Sequence, residues 1–536
     1  DAVMAKDPRA AQDFASVLAK RSKEVPNRPW IITDEQSYSY RTMDDRSSRL
    51  ANGLDGLGIG ASDTVLVMLP DTVDFVLIWC ALSKLGAIEV PVNIHYRGNL
   101  FTYLVNDSMA QTMVVDASCL ERLDSVSTDL IYMKRLIVYG GGDTQVPRTL
   151  TQRYEVLSYE DLEADTPWSG DGPRYRDLMA VMYTSGTTGP SKGAMISHAH
   201  AYEYAYGVTE MLDLRCGDIY YAPLPLFHLA GQFAVIYASC IASATAVIAG
   251  VFSAQRFWID VVRFNANCSF LLGAMANFLY HQTPDSKDSQ NPLERILMVP
   301  LIPEVKDFKR RFDCLVSTTW GGTEMNCPTR SGFDLVDNMS CGRVANDRYE
   351  VRIADENDAE LPPGIPGEAL VRTKEPWIIT TGYWNHPEWT EKAFRNLWYH
   401  TGDMLMKDAE GNLYFVDRIK DAIRRRGENI SSFEVENEIN AHPDVLECAV
   451  IPVESEHTEQ EVMAIVVPST PGKLNPKVLV KFLEPRMPYF MVPRYIDCVD
   501  ILPKTPTGKI QKYILRDRGI TASTWDRELA GIKLKR

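Results

Sequence analysis

The ten cysteines, scattered from Cys80 to Cys498, include no C-x-x-C pair and follow no regular spacing. They read as reduced, mostly packed thiols. Positive charge is scarce as well: 56 Lys and Arg face 71 Asp and Glu, a net charge of -15. That argues against a nucleic-acid backbone as main partner, since phosphate-backbone binding draws on clustered cations, although local basic pockets stay open. The opening residues DAVMAKDPRA lack an apolar core behind a basic start, so no secretory signal is expected and a cytoplasmic enzyme is the default. No internal repeat or low-complexity tract stands out.

One stretch does lack charge altogether. Gln232 to Phe252 is long enough to cross a bilayer, yet Ser239, Ser243 and Thr245 interrupt it and Gly250 closes it. Its second half, SATAVIAG, is short and partly β-branched like a buried strand. A core helix followed by a core strand is expected there, and no membrane span.

What is present is size and apolar material: 536 residues at 45% hydrophobic content exceed one ordinary core and suit a large domain plus a smaller one. The first third alternates strand patterns (TVLVMLP at 64 to 70, IEVPV at 88 to 92, TMVVD at 112 to 116, RLIVYG at 135 to 140) with an apolar helix pattern from Val73 to Leu85. Such alternation predicts an α/β fold with parallel sheets covered by helices. Near residue 416 the texture turns strongly charged, with Arg424, Arg425 and Arg426 in succession, which marks a domain border. Beyond it, the helix pattern Phe433 to Ile439 and the strands ECAVIPV and VMAIVVP predict a small α+β unit. LPKTPTGK, at 502 to 509, is too rich in Pro, Gly and Thr for a helix or central strand, and leaves a lysine on a loop.

The most informative stretch is YTSGTTGPSKG, Tyr183 to Gly193, after the apolar run LMAVM. A strand entering a loop of glycines and hydroxylated residues is how a backbone approaches a polyphosphate. Thr184, Ser185, Thr187 and Thr188 offer donors beside Gly186, and Lys192 offers charge. It is not a Walker loop, because Ser191 replaces the glycine before the lysine and Gly193 replaces the magnesium-binding hydroxyl.

At this point the chain resembles the adenylate-forming superfamily of acyl- and aryl-CoA synthetases, peptide-synthetase adenylation domains and firefly-type luciferases. PLPLFHLAG at 223 to 231, WGGTE at 320 to 324, GEALVR at 367 to 372, YHTGD at 399 to 403, DRIKDAIRRRGENIS at 417 to 431 and PKTPTGKIQK at 503 to 512 occur in the family's order. The last two resemble CoA ligases of the crotonobetaine and carnitine type. The resemblance implies a large ATP- and acid-binding domain over 1–416 with a β-rich subdomain, a hinge at 417–420 pivoting on Lys420, and a small mobile domain over 421–536.

It also implies roles. A carboxylate attacking the α-phosphate of ATP brings two anions together, and the family neutralises them with magnesium and a lysine. Glu324 matches the magnesium-associated glutamate, with Thr184 beside it, and Lys509 matches the catalytic lysine. Asp403 matches the ribose-binding carboxylate, Arg418 the ribose- and phosphate-contacting arginine, and His228 a histidine or aromatic that gates the site. Trp320, Gly321 and Thr323 approach the nucleotide. Gly427 matches a thiol-tunnel residue, and Arg424 and Arg426 suit CoA phosphates. Nearness to these motifs makes His228, Gly231, Gln232, Gly273, Ala274, Met325 and Asn326 candidate walls of an acyl pocket. The expected ligands are a small carboxylic acid, ATP, Mg2+ and CoA, and a homodimer is the family expectation.

Departures are visible. Trp320 stands where the family usually has an adenine-stacking Tyr, and indole stacks but has no phenol hydroxyl. The adenine-side loop, commonly glycine-rich, reads MVPLIP at 298 to 303, and PYFMVPRY at 488 to 495 offers only Arg494 where many relatives carry lysines. The leading reading is a free-standing CoA ligase. Its competitors are an adenylation protein loading a carrier-protein thiol in trans, a luciferase-like oxygenase and a nucleotide-binding regulator without catalysis. The chain ends at Arg536 with no appended carrier, which favours CoA.

Overall fold

The computed structural model describes residues 11–142, 145–184, 191–280, 282–302, 304–334, 339–418, 422–425, 428–455, 460–470, 472–503, 510 and 512–534. Its large lobe is built on two seven-stranded sheets. The first runs in the order Glu155–Ser158, Arg135–Tyr139, Thr112–Asp116, Thr64–Met68, Ile88–Pro91, Leu178–Thr184, Lys192–Ser197. All neighbours are parallel except the last pair, which folds back as an antiparallel hairpin. The second runs Leu315–Ser317, Arg295–Val299, Cys268–Leu272, Ile219–Tyr221, Thr245–Val247, Pro29–Ile32, Ser37–Ser39, again with one antiparallel edge.

Alternation along Thr64–Met68 explains the layering. Val65 and Val67 enter one apolar cluster while Leu66 and Met68 enter another, so the sheet is covered on both faces, as the unbroken apolar run requires. The helix Val73–Leu85 starts on Thr72, whose hydroxyl accepts from the Phe75 amide, and stops at Gly86 with φ 69°. It is almost wholly buried and shares one core with Val67 of the first sheet and Ile31, Tyr220 and Ala246 of the second.

The charge-free stretch resolves as a helix and then the strand Thr245–Val247, as expected, but Ala230–Tyr237 is wound as a π-helix before it tightens over Ala238–Ala242. A Cβ on Gly231 would sit 2.2 Å from the Pro225 carbonyl, so the PLFH loop packs directly on this wide turn. Among the described residues no helix is long and apolar enough to cross a membrane.

A β-rich unit follows, in which Gly367–Thr373 pairs with both Tyr349–Ala354 and Trp398–Lys407, and Leu413–Arg418 pairs with the latter. The small lobe holds the hairpin Ala422–Arg425/Glu428–Ser431 and a four-stranded sheet of Val445–Glu454, Gln460–Pro468, Tyr495–Cys498 and Trp525–Asp526. Helices Ser432–Asn440, Pro476–Leu483 and Lys512–Arg518 accompany these strands. The lobes meet where Tyr96 and Leu100 pack on the small lobe's core, the His95 and Tyr489 rings stand edge to face at 5.6 Å, and Ser191 donates to Glu434.

Candidate functional site

Thr184, the last residue of its strand, lies opposite Lys192, the first of the returning strand. Ser185, Gly186, Thr187 and Thr188 lie outside the described residues, so the shoulders of the loop define the site. Gly193 is required there: a Cβ would come within 2.7 Å of Val181 and 3.2 Å of the Tyr183 ring. The Thr184 hydroxyl donates to Glu324 Oε1 at 3.2 Å, and the Tyr383 hydroxyl donates to the same oxygen at 3.2 Å. Burial first, and then the Glu324 charge, push the Tyr383 phenol well up, which keeps it a donor. Lys192 Nζ rests over the Tyr383 ring at 4.9 Å and the Trp389 ring at 5.7 Å.

Glu324 is carried by a tight turn. Gly322 donates to the Asn326 carbonyl at 2.9 Å, Asn326 adopts φ 63°, and a Cβ on Gly321 would lie 2.0 Å from that carbonyl. Only glycine fits at 321. Thr323 sits within this turn and Met325 is buried behind it, in the cluster that also holds Trp320. The Trp320 indole N–H donates to Asp403 Oδ2 at 2.9 Å. Asp403 follows Gly402, whose φ is 71°, on the strand Trp398–Lys407, and its backbone is in register with Arg418. The side chain of Arg418 is outside the described residues.

His228 is exposed to solvent. The protein enclosing it, and secondly Arg424 of the small lobe, lower its pKa to about 4, so the imidazole is neutral at pH 7. Arg424 and Arg425 face opposite ways along their strand, as the pleat requires. The charge of the first reaches His228, while Arg425 is buried, with Nε 2.7 Å from Glu461. Lys420, Arg426, Gly427 and Lys509 lie outside the described residues.

The candidate acyl-pocket residues divide. Gly231 backs the His228 loop, and Gly273 opens the helix Gly273–Tyr280 so close to Pro300 that a Cβ would meet its carbonyl at 2.9 Å. The Ala274 side chain is not described. Asn326 is fully buried, donating to the backbone carbonyls of His200 and Ile378. Gln232 points into the core, where its amide donates to both Glu89 oxygens at 2.9 and 2.8 Å.

Several residues at the site carried no signal in the motifs. Tyr383 follows Gly382, whose φ of 134° bends the chain toward Glu324, and the TTGYW run that holds it is a glycine turn worth testing. Asp71, which accepts from the Leu226 amide at 2.6 Å, and Glu428 and Glu434 of the small lobe become neighbours only through the tertiary fold.

Known proteins resemble this chain along most of its length. The family model described as AMP-binding enzyme matches residues 18–384, and that of the AMP-binding enzyme C-terminal domain matches 434–509. The chain is 30% identical over 486 residues to a crotonobetaine/carnitine–CoA ligase of Escherichia coli, covering 88% of this chain and 92% of that protein. The enzyme of the same name from Salmonella arizonae is 29% identical over 494 residues, covering 90% and 93%. Among solved structures, an o-succinylbenzoate CoA synthetase double mutant from Bacillus subtilis, bound with its product analogue, superposes with a TM-score of 0.81. It is 22% identical, over 94% of this chain and 98% of that one, which supports the shared fold.

Proposed function

Because the chain belongs to the AMP-binding enzyme family of adenylate-forming enzymes, we propose that it is an ATP-dependent acyl-CoA ligase. In the first half-reaction an oxygen of the acid's carboxylate bonds to the α-phosphorus and pyrophosphate leaves. In the second, a thiolate bonds to the acyl carbon and AMP leaves.

The observation that carries this reading is the clasp on Glu324, which takes hydrogen bonds from Thr184 at the phosphate loop and from Tyr383. One fixed carboxylate beside a hydroxyl, with no cluster of three His, Cys, Asp or Glu among the described residues, suits a hard cation shared with substrate phosphates rather than an all-protein cage. Glu324 and Thr184 would hold Mg2+, which offsets phosphate charge when bound. Thr184 and Tyr383 fix which way the carboxylate points. Asp403 accepts from the ribose, Trp320 covers the adenine, and Arg418 reaches the ribose and phosphate. Lys509 offsets the charge of the two anions from the mobile lobe, and Arg424, Arg426 and Gly427 line the thiol's approach. His228, neutral and between the lobes, gates the acid.

A panel of carboxylic acids tests this directly. Pyrophosphate release should depend on both ATP and acid, and AMP turnover should rise with CoA. Acid-independent release, or transfer to a carrier-protein thiol but not to CoA, would overturn it.

A further inference from the structure

Trp320 is held by several independent contacts. Its backbone amide donates to Thr329 Oγ1 at 2.7 Å, its ring is 5% exposed among Met325, Tyr349, Val371 and Leu405, and the next residue can only be glycine. The one polar atom of such a ring is its N–H, and this one ends 2.9 Å from Asp403 Oδ2. Asp403 is itself 6% exposed, and its backbone amide donates to the Thr401 hydroxyl oxygen at 3.1 Å. A buried donor in a locked ring sets where a carboxylate oxygen lies more firmly than any solvent contact.

We infer that Trp320 is a positioning residue for nucleotide selection: its indole N–H pins Oδ2 of Asp403, so that the carboxylate meets the ribose hydroxyls in one fixed orientation and discriminates ribo- from deoxyribonucleotides. This rests on the ligase reading above, and within it on Asp403 as the ribose acceptor. A tyrosine at 320 would keep an aromatic face toward adenine, but its hydroxyl extends from the far end of the ring, whereas the indole N–H leaves from the ring edge. Stacking and carboxylate positioning are thus combined in one side chain. A carboxylate has about four lone-pair sites, so one indole hydrogen bond does not by itself exhaust them.

The test is calorimetric binding of ATP, 2′-deoxyATP and 3′-deoxyATP, which needs no acid substrate. It compares wild type with Trp320→Phe and with 3-benzothienylalanine at 320, which keeps the fused ring but has sulfur in place of N–H. Hydrogen bonds to charged groups set the scale, so wild type should prefer ATP by roughly tenfold or more. Both variants should lose most of that preference, read within each variant as the ratio of ATP affinity to deoxynucleotide affinity, so that a change in stacking common to all three nucleotides cancels. If Trp320→Phe does not fold, the benzothienyl variant alone decides. Wild-type preference that both variants retain would overturn the positioning role and leave the ligase reading standing. Wild-type binding of ATP with no ribose preference would remove Asp403 as ribose acceptor, and the inference with it. Failure to bind ATP at all would overturn the ligase reading too.

Discussion

Ser191, where the chain leaves the phosphate loop, donates its hydroxyl to Oε1 of Glu434, on the first turn of the small lobe's helix Ser432–Asn440. Both residues are buried, and the Tyr103 hydroxyl holds the Ser191 carbonyl at 3.1 Å. Ser191, next to Lys192, is therefore tied to the small lobe.

That tie should depend on pH. Burial lifts the Glu434 carboxyl from 4.5 to about 7, opposed by its bonds to Ser191, and burial followed by the Asp71 charge lifts Glu428 to about 7. Burial also raises Asp71 to about 6. The groups facing them are the Tyr96 and Tyr103 phenols, with Arg424 beside His228. A carboxyl whose pKa is raised by docking favours the docked arrangement fully below its ordinary value and loses that contribution as pH rises through the raised one. Lobe docking, read by energy transfer between dyes on the two lobes, should weaken from pH 6 to 8. Glu434→Gln should flatten part of that slope, and a pH-independent signal in wild type would contradict the account.

Tyr383 and Thr184 share one oxygen of Glu324, so their removal should affect adenylation in a graded way. Glu324→Gln should lower the rate of acid-dependent pyrophosphate release by ~10²-fold or more, on the scale of lost transition-state charge contacts. Tyr383→Phe should cost about tenfold, one hydrogen bond to a charged group. Equal losses from the two substitutions would mean that Tyr383 does more than orient the carboxylate.

Much of the large lobe was legible because its signals are local. The period of the apolar residues from Thr64 to Pro91 specifies strand, buried helix and strand, and the structure has Thr64–Met68, Val73–Leu85 and Ile88–Pro91 there. The small α+β unit was legible for the same reason, from Val445–Glu454 and Gln460–Pro468. The site was legible only where a motif holds its partners within a few residues, as in the turn from Gly321 to Asn326. The bond between Trp320 and Asp403 spans 83 positions and that between Ser191 and Glu434 spans 243, and no local pattern encodes such pairings. The π-helical turn at Ala230–Tyr237 escaped because its apolar residues surround the axis and give no period to read.

Gln232 and Glu89 form a buried pair between the sheets, and burial raises the Glu89 carboxyl to about 8 against the opposing bonds from Gln232. At pH 7 the carboxyl is mostly protonated, and its contribution to stability should be lost as pH rises through about 8. Gln232→Leu leaves a buried carboxyl without its amide and should cost ~1–3 kcal/mol, seen as a lowered Tm that falls further above pH 8. Gln232→Glu should be worse, because two acids would then compete for one buried site. An unchanged Tm in Gln232→Leu would mean that the pair contributes shape alone.

Lys509→Ala should separate the two half-reactions of the proposed ligase. Lys512, three residues beyond, is tied by its ammonium to Ser432 and Glu436 within the small lobe, while Arg424 is the small-lobe cation that faces His228. The charge of Arg424 on the small lobe's hairpin thus reaches His228 of the large lobe, which suits acceptance of a thiol. On the proposed ligase reading, Lys509 serves the adenylation step alone. Its loss should cost about 3 to 4 kcal/mol or more in the adenylation step. Thioester formation from a supplied acyl-adenylate should stay within about twofold of wild type, because the lost charge contact belongs to the other step. Pyrophosphate release and thioester formation measured separately decide it, since parallel loss of both would mean that one fixed lobe arrangement serves both steps.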